Sequence, residues 1–140
     1  MTTAIICGGR SYGIVPSDHA PAAYERLRAD ADREKARLAQ ILMAAVDRLG
    51  IDRMVMGDQK GADYLASSWC HEHDVPFQVY EADWRTHGDA AGPIRNLQMI
   101  KEERPMPEIC IAFPGSRGTR NMVKQAQAHF LRVIPIDWTP

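Results

Sequence analysis

The sequence predicts one α/β domain over residues 1–140, with a doubly wound parallel five-stranded sheet and helices on both faces. Three observations predict it. Short apolar segments rich in β-branched residues alternate with helical segments, several of the apolar segments end in glycine-rich turns, and 45% of the 140 residues are hydrophobic. Parallel strands need crossover connections, and helical crossovers cover both faces of the sheet. This length matches the commonest domain size, so one core is expected.

The first strand is predicted at residues 4–7, "AIIC", and it stops at a glycine pair. A helix is predicted from Pro21 to Leu49, because apolar residues recur at three- and four-residue steps through its second half before Gly50 closes it. The first half of this helix is charged on most faces. It is therefore expected to be a solvated extension or, alternatively, a partner-binding one.

The remaining segments continue the same alternation of strand, turn and helix. They are a strand at 53–56 ("RMVM"), a helix from Ala62 to His73, a strand at 77–84 ("FQVYEADW"), a loop at 85–92, a helix through Glu103 with Pro93 in its first turn, a strand within "EICIAF", a helix over 119–131 and a strand at 132–137 ("RVIPID").

Charge and cysteine content restrict the class of protein. The formal net charge of -1 gives no broad positive field of the kind that non-specific nucleic-acid binding requires, although a local basic pocket remains open. Three cysteines, an odd number, argue against a disulfide framework and for a reducing compartment. The opening residues lack a basic segment before the first glycine pair, and no apolar run approaches the ~20 residues of a membrane helix. We expect a cytoplasmic protein without a membrane partner.

Glycine-rich turns follow three of the predicted strands. In parallel sheets the carboxyl ends of the strands meet at one rim, where ligands bind. Glycine permits close backbone approach, and a turn that opens a helix presents unpaired N–H groups that favour anions. The turns contain Gly8, Gly9 and Arg10; Gly57, Lys60, Gly61 and Asp63; and Pro114, Gly115, Ser116, Arg117, Gly118 and Thr119.

These turns predict a phosphate site that matches neither of the two standard nucleotide-binding motifs. "GGRSYG" lacks the G-x-G-x-x-G spacing, and "GDQKGAD" lacks the Lys-Ser/Thr ending of a P-loop. Each turn alone is also explained by a tight connection between elements. Their occurrence after three strands favours a shared ligand site.

"AGPIRN" adds Arg95 and Asn96 one turn into a helix. The guanidinium suits a bidentate contact to phosphate, and the amide suits a base edge or a contact that holds the loop. The alternative for Arg95 is a salt bridge with Glu102 or Glu103.

Two carboxylates, Asp63 and Asp83, are candidate ligands for ribose or base and weak catalytic candidates, and His87 in the following loop is a further weak catalytic candidate. A carboxylate at a strand end can accept hydrogen bonds from sugar hydroxyls. The alternatives are helix capping for Asp63 and a turn contact with its own backbone for Asp83. Asp89 lies in the adjacent loop and could also reach the rim.

Trp84 and Tyr12 follow predicted strand ends and are candidates to stack on a base, with core packing as the alternative for Trp84. Trp69 and Trp138 are expected to be structural. The sequence "CHEH" places Cys70, His71 and His73 together, but neighbours one and two apart on a helix point in different directions, so we expect no metal site.

Four stretches carry a family resemblance: "GGRSY", "GDQKGAD", "ADWRTHGDAAGPIRNLQMI" and "IAFPGSRGTRNMVKQA". In this order they resemble the SLOG superfamily, specifically its YspA-like branch related to cpYpsA. The resemblance implies a Rossmann-like sheet of strand order 3-2-1-4-5, a nucleotide-type ligand and phosphate at the "PGSRGT" turn. It also makes Cys7 and Cys110 neighbours. Residues of about 14–36 look like a charged helical insertion relative to this branch.

The related LOG-type phosphoribohydrolases carry P-G-G-x-G-T-x-x-E, whose Glu is taken to be catalytic. Met122 stands at that position here, and a thioether cannot act as a general base. The leading expectation is therefore a module that senses or sequesters a nucleotide or nucleotide-derived small molecule, with no cofactor. The first alternative is a nucleotide N-glycosidic hydrolase that uses another carboxylate. Single-stranded nucleic-acid binding, as in the Smf/DprA branch, is a third and less favoured alternative, and a homodimer or larger assembly is a reasonable expectation.

Overall fold

A computed structural model describes residues 1–137 of the chain, and Trp138 lies outside this range. Five strands form one parallel sheet of order β3-β2-β1-β4-β5, as the resemblance implies. The strands are β1 (Thr2–Cys7), β2 (Ile51–Gly57), β3 (Phe77–Tyr80), β4 (Pro107–Ala112) and β5 (Arg132–Pro135). The helices are α1 (Tyr24–Leu49), α2 (Ala62–Glu72), α3 (Trp84–His87), α4 (Ala91–Glu102) and α5 (Arg117–Ala128). The α/β Rossmann-like fold predicted from the sequence is confirmed.

The central strand β1 separates two apolar cores because its side chains alternate between the faces of the sheet. Ile6 belongs to the core that α1 and α2 cover, whereas Ile5 belongs to the core that α4 and α5 cover. Both side chains are fully buried. This two-sided burial explains why the strands read as continuous apolar runs rather than alternating ones.

Helix α1 is longer than the sheet requires. Its 26 residues extend over about 39 Å, whereas a six-residue strand spans about 20 Å. The second half packs through Leu38, Leu42 and Ala45, and Gly50 ends the helix in the left-handed conformation. In the first half Ala31 is buried. A loop and a 3-10 turn at Pro21–Ala23 lead into it.

The region after β3 differs from the prediction. The strand ends at Tyr80, so the predicted strand through Trp84 is wrong, and the segment predicted as a loop contains α3 and a 3-10 turn at Gly88–Ala90. The reason is local. The Asp83 carboxylate accepts a hydrogen bond from the Thr86 backbone N–H at 3.1 Å, which caps the short helix that Trp84 begins.

Candidate functional site

Three loops at the carboxyl ends of the strands are joined through their backbones. The Gly9 N–H donates to the Pro114 carbonyl at 2.9 Å, and the Ala62 N–H donates to the Gly9 carbonyl at 3.1 Å. These two bonds tie the loop after β1 to the loop after β4 and to the start of α2. The strand order places β1 between β2 and β4, so the loop after β1 is the common neighbour.

Two glycines are required by this loop packing. Gly61 has φ of +77°, and a Cβ there would lie 2.2 Å from the Gly9 carbonyl oxygen. A Cβ on Gly115 would lie 2.1 Å from Thr119 Oγ1 and 2.8 Å from the Gly9 N. No L-residue with a side chain fits at either contact without moving backbone. The glycines therefore fix the positions of the three loops relative to one another.

The joined loops border a cavity of about 500 Å³, hereafter the main cavity. It opens where β1 ends, between the loop after β1, α4 and the start of α5. Most of the residues predicted from the sequence line it: Gly8, Gly9, Arg10, Asp63, Trp84, Arg95, Asn96, Ser116, Arg117, Gly118 and Thr119.

Helix α5 begins at the main cavity without a side-chain cap. Ser116 occupies the N-cap position and makes no capping hydrogen bond, and the first helical bond runs from the Arg120 N–H to the Ser116 carbonyl at 2.9 Å. The backbone N–H groups of Arg117, Gly118 and Thr119 precede that bond and have no intrahelical acceptor. Together with the helix dipole they make this end of α5 favourable for an anion.

Arg95 lies at the floor of the main cavity and is 7% exposed. Its Nη1 donates to Asp58 Oδ1 at 2.8 Å and its Nε to Asn96 Oδ1 at 3.1 Å. The salt bridge with Glu102 or Glu103 considered from the sequence is not the one found, since Glu103 pairs with Arg53 instead. Arg95 Nη1 also donates to the Tyr80 carbonyl at 3.3 Å.

Asp63 is a buried carboxylate beside this arginine. It is 7% exposed, and Oδ2 accepts a hydrogen bond from the Gln59 N–H at 3.3 Å. Burial raises the pKa of Asp63 to about 6, against the lowering effect of Arg95 and the Gln59 amide. The helix-capping alternative is not the contact found, because the carboxylate of Asp63 accepts from the Gln59 N–H, which lies in the turn before α2.

Gly57 makes the space that these two charged groups occupy. A Cβ at this position would lie 2.5 Å from Arg95 Nη1 and 2.7 Å from Asp63 Oδ2. Gly57 does not line the main cavity itself. Its contribution is to let the end of β2 approach the Arg95–Asp63 pair closely.

Asn96 holds α4 against α5. Its Nδ2 donates to Asn121 Oδ1 at 3.1 Å, while its Oδ1 accepts from Arg95 Nε. These bonds fit the holding role considered for this amide, and a contact with a base edge stays a prediction. Gln125 Nε2 also donates to Asn121 Oδ1, at 2.8 Å.

Trp84 lies at the mouth of the main cavity and is 40% exposed. The Arg10 guanidinium carbon is 5.7 Å from the centre of its ring, a cation–π distance, and Gly92 packs against the ring edge. Core packing, the alternative considered for Trp84, does not describe this position. Tyr12, in contrast, is 2% exposed and packs on Phe113, so the idea that it stacks on a ligand is wrong.

The turn between β2 and α2 divides the rim. Lys60 and Gly61 do not line the main cavity; they line a second cavity of about 580 Å³ on the other side of the turn. Pro114 and Gly115 hold the loop after β4, and Asp83 caps α3 outside the main cavity. For Asp83 the turn contact considered as its alternative is the one observed.

Several lining residues were not singled out as ligand contacts from the sequence. Cys7 ends β1, Gln59 and Gly92 lie within "GDQKGAD" and "ADWRTHGDAAGPIRNLQMI", and Asn121 is two residues beyond the predicted helix start. Their position in the motifs was the available signal. The lining residues in this group are Cys7, Gln59, Gly92, Pro93 and Asn121, and Asp89, which the sequence places near the rim, lines the cavity as well.

The position of the catalytic Glu of related hydrolases is buried here. Met122 is 1% exposed and belongs to the core under α5, and it does not line the main cavity. The Cys7 and Cys110 sulfur atoms lie 3.8 Å apart, as neighbours on β1 and β4. Their hydrogen bond and burial raise the pKa of Cys7, which keeps it a thiol and opposes nucleophilic reactivity.

Within residues 1–137 no group of three or more His, Cys, Asp or Glu side chains is arranged to hold a metal ion. None of the helices there combines the length and the apolar character needed to span a bilayer.

The fold and the joined loops define a Rossmann-like α/β domain in which the glycine-rich loops after β1 and β4 and the uncapped start of α5 border the main cavity. The chain belongs to the YspA, cpYpsA-related SLOG family, whose YAcAr model matches residues 3–87. The "PGSRGT" turn lies beyond the matched residues. The Gene 61 protein of Mycobacterium phage D29 is 35% identical over 88 residues, which cover 58% of this chain and 68% of that protein. No solved structure matches the chain. Family membership indicates a nucleotide-related ligand.

Proposed function

We propose that this protein binds a nucleotide or a nucleotide-derived small molecule in the main cavity, as a sensing or sequestering module. The observation that carries the proposal is the uncapped start of α5, whose free backbone amides open on a cavity bordered by arginines. A phosphate placed there accepts hydrogen bonds from the amides of Gly118 and Thr119 and gains from the helix dipole.

The charges around the main cavity favour an anion locally although the whole chain carries a net charge of -1. Arg10, Arg95 and Arg117 contribute positive charge, and Asp63 and Asp89 oppose it. The Asp58 carboxylate neutralises part of Arg95. Arg10 and Arg117 therefore supply the positive charge that faces the ligand, and the attraction acts over a short range because solvent screens it.

The base of the ligand has a partner in Trp84. The ring is partly exposed at the mouth of the cavity and already carries Arg10 on its face. A nucleobase can displace or extend this cation–π stack, and such stacking contributes about 1–3 kcal/mol per base without reading its identity. Trp84 thus explains base binding without base specificity.

The test is calorimetric titration with a panel of nucleoside monophosphates, dinucleotides and the parent nucleosides. AMP is expected to bind about tenfold or more tightly than adenosine, because phosphate adds charge-assisted hydrogen bonds. Equal affinity of nucleotide and nucleoside would contradict phosphate binding at α5. In Trp84→Ala both AMP and adenosine lose the base contact and should bind more weakly. The ratio of their two affinities reports the phosphate contact and should stay the same.

A second candidate function is hydrolysis of the base–sugar bond of a nucleotide. Asp63 favours it, because a buried carboxyl group in the cavity with a pKa of about 6 can hold a proton near neutral pH and act as a general acid. Chromatography of each titrated mixture for free base decides between the two. Released base that disappears in Asp63→Asn would establish the hydrolase, and intact nucleotide after prolonged incubation would leave binding alone.

A further inference from the structure

The second cavity has a different chemical character from the main cavity. Its walls carry the apolar side chains of Ile14, Val15, Tyr64 and Leu65. Tyr64 is 67% exposed and Ile14 is 40% exposed, although both are large and apolar. Exposed apolar side chains that converge on one concave surface are typical of ligand sites rather than of random surface positions.

The second cavity is preformed because the loop that makes one wall is anchored. The Gly13 N–H donates to Glu34 Oε1 of α1 at 3.0 Å, and the Ile14 N–H donates to the Ser11 carbonyl at 3.1 Å. Gly13 has φ of +73°, and a Cβ on it would lie 2.6 Å from the Leu65 side chain. The loop therefore rests directly on α2 and holds its apolar side chains at the cavity.

Two lysines give this apolar cavity a positive edge. Lys35 comes from α1 and Lys60 from the turn before α2, and both line it. Asp58, a carboxylate in the lining, is engaged by Arg95 Nη1 at 2.8 Å. An apolar surface with an exposed tyrosine ring and two lysines complements an aromatic ring that carries a negative charge.

The two cavities are separated by backbone. Gly61 packs so closely on the loop after β1 that a Cβ would lie 2.2 Å from the Gly9 carbonyl oxygen and 2.6 Å from that of Arg10. A phosphate at α5 and a ring against Tyr64 therefore lie on opposite sides of this contact. Gln59 lines both cavities, at the edge of the turn that divides them.

We propose that the second cavity is a separate binding site for a small anionic aromatic compound, with the ring against Tyr64 and Ile14 and the negative group between Lys35 and Lys60. The volume of about 580 Å³ lies within the range of small-molecule sites, roughly 300–1,000 Å³. The site does not depend on the nucleotide proposal, because the two ligands occupy different cavities.

The probe is the anionic fluorophore 8-anilinonaphthalene-1-sulfonate, titrated into the intact protein. Tyr64→Ser should weaken its binding by about tenfold, because the aromatic contact and its apolar area are lost. Ile14→Ser should weaken it in the same direction. Phe130→Ser is the matched control: Phe130 is an aromatic side chain, 96% exposed, in the turn after α5, and it should leave the affinity unchanged.

Charge and location are tested separately. The double substitution Lys35→Gln with Lys60→Gln should weaken the binding of 8-anilinonaphthalene-1-sulfonate several-fold more than the binding of the uncharged N-phenyl-1-naphthylamine. Equal weakening of the two would refute the role of the lysines. Saturating AMP should leave the affinity of the anionic probe unchanged. Displacement by AMP, or equal losses in Tyr64→Ser and Phe130→Ser, would overturn a separate site at this cavity. Circular dichroism of each variant checks that it is folded.

Discussion

Replacing Asp63 by Asn should make the protein more stable at neutral pH and change how stability depends on pH. The carboxyl group is 7% exposed, and its pKa is raised to about 6 from 3.8 because burial disfavours its charged form. A raised carboxyl pKa means that the folded state holds the proton more tightly than the unfolded state. The stability that Asp63 contributes is therefore lost as pH rises from about 4 to about 6.

The size of this loss follows from the two pKa values. Their difference corresponds to about 3 kcal/mol over the full range, of which about 2 kcal/mol falls between pH 4.5 and pH 7.5. Asn has a similar shape and does not ionise, so the variant lacks this loss. Other titrating groups act in both proteins and cancel in the comparison.

Urea unfolding of both proteins at pH 4.5, 6 and 7.5 measures the effect. The free energy of unfolding of Asp63→Asn minus that of the wild type should increase by about 2 kcal/mol from pH 4.5 to pH 7.5. Parallel pH profiles for the two proteins would mean that Asp63 titrates at the same pH in the folded and unfolded states, and that burial does not raise its pKa.

Three further predictions concern the loops, the helix start and the core. Arg117→Ala should weaken AMP binding about three- to tenfold in calorimetry, because it removes a cation that lines the main cavity. Arg120→Ala changes the same helix outside the lining and should leave AMP binding unchanged. Equal effects of the two substitutions would contradict the placement of the phosphate. Gly61→Ala should lower the free energy of unfolding by about 2 kcal/mol or more in urea titrations, because its Cβ would lie 2.2 Å from a backbone oxygen. Gly118→Ala is the control and should lower the free energy of unfolding much less, because its Cβ would meet nothing within 4 Å. Tyr12→Phe should leave stability unchanged or raise it by up to about 1 kcal/mol, because the buried hydroxyl has no partner within residues 1–137, and a clear loss would indicate one.

The fold could be predicted because its signals are local. Each element is indicated by residues within it or directly beside it: the apolar runs indicate the strands, a glycine marks the end of α1, and turns follow β1, β2 and β4. The end of β3 was missed because "FQVYEADW" continues an apolar pattern, and the cap between Asp83 and Thr86 that starts a helix there is a single side-chain contact. A helix of four residues has too short a pattern to be recognised by its periodicity.

The candidate site was predictable in part. Glycines and arginines after neighbouring strands identified the rim, because parallel strands bring their carboxyl ends together. The ion pair between Arg95 and Asp58 joins residues 37 apart, and the sequence offers no reason to pair these two rather than Arg95 with Glu102 or Glu103. The division of the rim into two cavities depends on the packing of Gly61 on the loop after β1, which appears only in three dimensions.

The position of an anion in crystals tests most directly whether the start of α5 binds phosphate. Selenate has the shape and charge of sulfate, and an anomalous difference map at the selenium edge locates it without assumptions about the ligand. If α5 binds phosphate at its start, a selenium peak will lie in the main cavity, within hydrogen-bond distance of the Gly118 and Thr119 backbone amides. A fully soaked crystal whose peaks all lie elsewhere, with this end of α5 empty and accessible, would contradict it.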